Sequence, residues 1–135
     1  MFKTVLFPID QSREAREAAE VVINIVKKYG SRLVLISVVE EPEKDESSEE
    51  VMSSPETVAQ LLESAKSMFA EQGIQTETIE RQGIPAFVIC DVADEIDANL
   101  IVMGCRGLGL TEEGATESVT NRVINLSPCP VLIVP

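Results

Sequence analysis

A chain of 135 residues with a hydrophobic share of 44% is long enough for one domain with a real core and too short for two ordinary ones. Its 11 Lys and Arg against 23 Asp and Glu leave a formal charge of −12, which argues against a nucleic-acid partner, since a nucleic-acid backbone requires a basic surface. No apolar run approaches the roughly 20 residues of a membrane-spanning helix, and MFKTVLFPID lacks the long apolar region and cleavage site of a signal peptide, so a cytoplasmic chain without membrane insertion is expected.

In chain order, Lys3 to Ile9 is a short apolar run that stops where Pro8 forbids further ladder bonding. From Ser12, a suitable N-cap, Ala15, Ala18, Ala19, Val22, Ile25, Val26 and Tyr29 mark one face of a helix closed by Gly30. Arg32 to Val39 is apolar almost throughout, as a central parallel strand covered on both faces should be. Glu40 to Glu56 carries eight acids and one lysine, and this repelling segment reads as a mobile loop at about 40–56. It leaves a strand's C-terminal end, so it is either a solvated connection or a lid. Ser54 and Pro55 suit the start of a second helix, with Val58, Leu61, Leu62, Ala65, Met68 and Phe69 as core and Gly73 as its stop. Gln75 to Arg81 alternates polar and β-prone residues, as a half-exposed edge strand does. After Gly83 and Pro85, a third helix follows on Ala86, Ile89, Val92, Ala93 and Ile96.

The rest of the chain repeats the pattern: a strand at Leu100 to Met103, a glycine-punctuated loop, a helix with Val119, Val123 and Leu126 inward, and a strand at Val131 to Val134. Five strands alternating with four helices call for a single α/β domain over 1–135, a parallel sheet with helices on both faces. Ligands in such sheets sit beyond the strand C-termini, where the strand order switches. Gly104, Gly107 and Gly109 permit close approach of backbone amides to a ligand, and the loop leads into a helix N-terminus, so it is a candidate anion site. Arg106 is its only nearby cation in sequence. The spacing G-x-x-G-x-G is neither a dinucleotide fingerprint nor a P-loop. Cys105 in this loop is either an unreactive small residue or a thiol activated by the helix end.

KTVLFPID, LVLISVV, MGCRGLG and SPCPVLIVP, in this order, make the chain resemble the universal stress protein family from Lys3 to the C-terminus. That resemblance implies a Rossmann-like five-stranded sheet in the order 3-2-1-4-5 with two helices on each face, and a homodimer paired through the last strand, Val131, Leu132, Ile133 and Val134. In one branch of the family it also implies an adenine-nucleotide site, for ATP or AMP, with Mg²⁺ able to offset phosphate charge. By the same resemblance Pro8, Ile9 and Asp10 line the nucleoside, and Val38 offers backbone groups to the adenine edge. Met103 and Gly104 face the ribose, Gly104 and Gly107 open the phosphate motif, and Ser118, Val119 and Thr120 supply amides and hydroxyls at the helix start. Read on their own, Asp10 also fits a helix cap and Met103 a core residue.

The chain departs from the motif at one place, where Glu117 stands for the third glycine. Two like charges 4 Å apart at an effective dielectric near 20 cost about 4 kcal/mol, comparable to the gain from a phosphate cradle. Turned to solvent, Glu117 leaves the site intact; turned inward, it favours AMP over ATP. The expected role is a stress-response module that binds an adenine nucleotide as a signal, and the alternative is a nucleotide-free dimeric interaction protein on the same fold. An enzyme is not expected. The chain has no histidine and no defensible catalytic pair of carboxylates, and Cys90, Cys105 and Cys129 have no metal-ligand spacing.

Overall fold

The apolar runs form one parallel sheet. The computed structural model describes residues 1–9, 14–39, 55–104 and 115–135. In chain order these hold β1 (Thr4–Pro8), α1 (Glu14–Tyr29), β2 (Arg32–Val39), α2 (Pro55–Glu71), β3 (Thr76–Gln82), α3 (Pro85–Glu95), β4 (Leu100–Gly104), α4 (Ala115–Leu126) and β5 (Val131–Val134). The strand order is β3-β2-β1-β4-β5, as the resemblance implied. The expected acidic loop falls almost wholly on 40–54, outside the described residues.

Because successive side chains of a strand point to opposite faces, each central strand feeds two cores. Val5, Phe7, Leu33, Leu35, Leu100 and Val102 meet α1 and α2 on one face. Leu6, Val34, Ile36, Ile101 and Met103 meet α3 and α4 on the other. This two-sided burial is why the central strands read as continuous apolar runs rather than alternating ones. Phe69 of α2 is fully buried and meets Phe7 edge to face, with ring centroids 6.2 Å apart. At the edge, β3 is mostly exposed, which its polar sequence anticipated.

Three residues expected inside lie outside. Met68 is exposed because it flanks the stripe set by Val58, Leu62 and Phe69 rather than lying on it. Tyr29 is the last residue of α1 and packs edge to face on Phe2, with centroids 5.3 Å apart, instead of entering the core. Leu126 ends α4 where the chain turns away through Pro128 and Pro130, and it is 48% exposed. Gly83 could not be replaced without strain: its φ is +145°, and an added Cβ would lie 2.9 Å from Val88 Cγ2. Its amide bonds the carbonyl of Val39 at 3.0 Å, tying the end of β2 to the turn into α3.

Candidate nucleotide site at the switch in strand order

After β1, the chain lays β2 and β3 to one side, then crosses to the other side for β4 and β5. The crevice of such a sheet opens between β1 and β4, at their C-terminal ends. Pairing between these strands covers Val5↔Leu100 and Leu6↔Ile101, although the strands run on to Pro8 and Gly104. The cause is Pro8. Thr4 faces β4 with both backbone groups: its N–H reaches Asn99 Oδ1 at 2.8 Å and its carbonyl takes the Asn99 amide at 2.8 Å. Even-numbered residues of β1 therefore turn their N–H toward β4, and at Pro8 that N–H does not exist. On the other side β1 stays paired with β2 through Pro8↔Ile36, and the Ile9 amide bonds the Ile36 carbonyl at 2.9 Å.

The expected site residues divide into three groups. Pro8, Ile9, Val38, Met103, Gly104, Val119 and Thr120 are described. Pro8 ends β1 and Ile9 follows it, Val38 lies at the end of β2, and Met103 and Gly104 end β4, so the fold brings these to the C-terminal edge of the sheet. Ser118 lies in the first turn of α4 with Glu117, and nothing is described of either side chain. Asp10, Arg106, Gly107 and Gly109 lie outside the described residues, as does Cys105. The Met103 side chain belongs to the core against α3 and α4, so only its backbone is available to a ligand.

Two polar features stand out at this edge. Thr120 is 7% exposed, one turn before the core residue Val123, and its hydroxyl finds no partner among the described residues. Ser37, also buried, donates its hydroxyl to the Ile9 carbonyl at 3.2 Å. Sequence reasoning missed Ser37, yet a signal was present: it is the only polar residue between Leu33 and Val39.

The Arg32 guanidinium hydrogen-bonds Glu77 at 2.7 and 2.8 Å, which raises the arginine's pKa and lowers the carboxylate's, but this exposed pair sits where the strands begin. A groove of about 680 Å³ lies at that same end, bounded by Val26, Gly30, Arg32, Ile74, Thr76 and Glu77. Helix C-termini form its walls, and their dipoles disfavour an anion. Burial pushes the Cys90 thiol up, with Asp91 and Cys129 adding to it, and burial likewise raises Cys129. Among the described residues no three His, Cys, Asp or Glu gather as a metal site, and no helix is long and apolar enough to cross a membrane.

The sheet order, with its switch between β1 and β4, defines a doubly wound α/β protein. The chain matches the model of the universal stress protein family over residues 1–135 and belongs to that family. It is 63% identical to "Universal stress protein Sll1654" of Synechocystis sp. over 136 residues, covering 100% of this chain and 87% of that protein. Among solved structures it is similar to a universal stress protein "in complex with cAMP", with a TM-score of 0.75 and 21% identity, covering 99% of this chain and 97% of the other. A universal stress protein from Archaeoglobus fulgidus "in complex with dAMP" aligns with a TM-score of 0.71 and 22% identity, covering 100% and 98%. At these identities the two structures support the fold.

Proposed function

We propose that the crevice between β1 and β4 binds an adenine nucleotide, AMP in preference to ATP, and that occupancy serves as a signal rather than as the start of a reaction. The observation that carries this reading is the early end of the β1·β4 ladder at the switch in strand order. Beyond β4 stand Thr120, a buried hydroxyl with no partner among the described residues, and the first turn of α4, whose amides suit a phosphate. Two relatives of the same fold carry cyclic AMP and dAMP, both adenine monophosphates. In this reading Pro8, Ile9 and Asp10 line the nucleoside, the backbone of Val38 meets the base, and Gly104 to Gly109 with Ser118, Val119 and Thr120 hold the phosphate. Glu117 sits in the first turn of α4, where an acid already complements the helix dipole, so each added phosphate competes with it. Mg²⁺ would offset that competition for ATP.

Acid extraction of the purified protein followed by nucleotide chromatography tests occupancy, and calorimetry with AMP, cyclic AMP and ATP, with and without Mg²⁺, tests affinity. Micromolar binding that weakens in Asp10→Ala is the expected result. Absence of heat with every nucleotide would remove the proposal.

One observation favours a second reading, a dimer acting through its surface without nucleotide. β5 is an edge strand that is only partly covered, with Leu132 exposed, and Ile124 and Leu126 on α4 are exposed as well. Pairing of Val131 to Val134 with a second copy across a two-fold axis would cover this edge. Both readings include the homodimer, so elution as a clean monomer on gel filtration would count against it. In neither is the protein an enzyme, and phosphate release from ATP above background would overturn that part.

A further inference from the structure

Parallel strands alternate the side to which each residue turns its N–H and C=O. On β2, the Ile36 carbonyl receives the Ile9 amide, so Ile36 faces β1. The Val39 carbonyl receives the Gly83 amide, so Val39 faces the β3 side. Val38, two residues beyond Ile36, therefore faces β1 again. The register Pro8↔Ile36 places Ile9 beside Ser37, and a continuing ladder would join the Val38 N–H to the Ile9 carbonyl. Among the described residues that bond is not made, and the Val38 N–H has no other backbone partner toward β1. The Ile9 carbonyl accepts the Ser37 hydroxyl at 3.2 Å, and Ser37 is buried at 4% exposure, so solvent does not compete for the hydroxyl.

We infer that Ser37 is a positioning residue: by turning the Ile9 carbonyl toward its own side chain and out of line with the ladder, it keeps the backbone N–H of Val38 free to donate to the edge of an adenine base. The strand is left one rung short at the place where a ligand must be read. An unpaired N–H seeks an acceptor. Adenine presents an unprotonated ring nitrogen at N1, whereas the N1 of hypoxanthine carries a proton and cannot accept. The ligand half of this inference rests on the nucleotide reading; the backbone half does not.

Amide hydrogen exchange by NMR tests the two halves separately. In the wild-type protein without ligand, the Val38 amide should exchange about tenfold faster than that of Ile36, and in Ser37→Ala the released carbonyl should take it up and slow it about tenfold. Ser37→Thr, which keeps the hydroxyl, should behave as wild type. With ligand, AMP but not IMP should protect the Val38 amide, and Ser37→Ala should weaken AMP about tenfold while leaving IMP unchanged. A Val38 amide already protected in the free wild type, or one equally exposed in Ser37→Ala, overturns the inference. If exchange follows expectation but the wild type binds no adenine nucleotide, the ligand half and the proposed function fall together while the rung-blocking role of Ser37 stands. If the wild type binds AMP and Ser37→Ala binds it equally well, the proposed function survives and Ser37 has no part in recognition.

Discussion

Replacing Thr120 by valine should stabilise the free protein and weaken its hold on nucleotide. The two side chains have nearly the same shape, so the exchange swaps a hydroxyl for a methyl without opening a cavity. Thr120 is 7% exposed and its hydroxyl has no partner among the described residues, so none of these repays the water that folding strips from it. A buried hydroxyl left unpaired costs about 1–3 kcal/mol. Helix propensities of threonine and valine are close, so the backbone of α4 contributes little to the difference. A gain of about 1–2 kcal/mol is expected, read as a higher urea midpoint at unchanged slope, together with a rise in Tm of about 3–8 °C. Calorimetry on the same sample should show weaker AMP binding, because the hydroxyl that is idle in the free protein is assigned to the ligand. A loss of more than about 1 kcal/mol would refute the reasoning, since a destabilised Thr120→Val requires a partner for the hydroxyl in the free protein. A gain in stability with unchanged AMP affinity would sever the hydroxyl from the site.

Glu117→Gly should shift nucleotide preference toward ATP, measured as the ratio of AMP to ATP affinities without Mg²⁺, and should cost up to about 1 kcal/mol in stability from glycine in the first turn of α4. An unchanged ratio would mean that Glu117 points away from the phosphates. Phe69→Ala, which empties a fully buried position against Phe7, should cost about 3–5 kcal/mol by chemical denaturation. The hydrogen bond from Arg32 lowers the pKa of Glu77 in the folded chain. The pair therefore adds stability above the ordinary carboxylate range, and loses it as pH falls through the lowered value. Both side chains are about half exposed, so the effect is small; Glu77→Gln should flatten the acid limb of the stability curve slightly and leave the neutral region nearly unchanged.

Much of the fold was legible because its signals are local. The helical stripe of Val58, Leu62 and Phe69 and the unbroken run of Leu33 to Ile36 announce their periods within a few residues, and the structure buries them as read. Met68 and Leu126 depart from this pattern, because an apolar residue at the margin or the end of a stripe has the right spacing but lies outside the packed face. At the site, Pro8 was read as a strand stop, which it is, but the side on which its missing N–H matters depends on β4. Met103 fits both a ribose neighbour and a core residue in the sequence, and its side chain lies in the core.

Taken alone, the amino-acid sequence determined the alternation of strands and helices, the parallel sheet this demands and the two-sided burial of its central strands, because hydrophobic period and helix punctuation act within one element. Tertiary structure decided which polar groups at the two ends of that sheet are paired and which are left over. The Ser37 hydroxyl meets a carbonyl 28 residues away, and Thr4 meets Asn99 across 95, so their pairing follows from strand order and register rather than from any local pattern. That is why the serine between Ile36 and Val38 reads in the sequence as a blemish in an apolar strand, and in the fold as the group that keeps one rung of the ladder open.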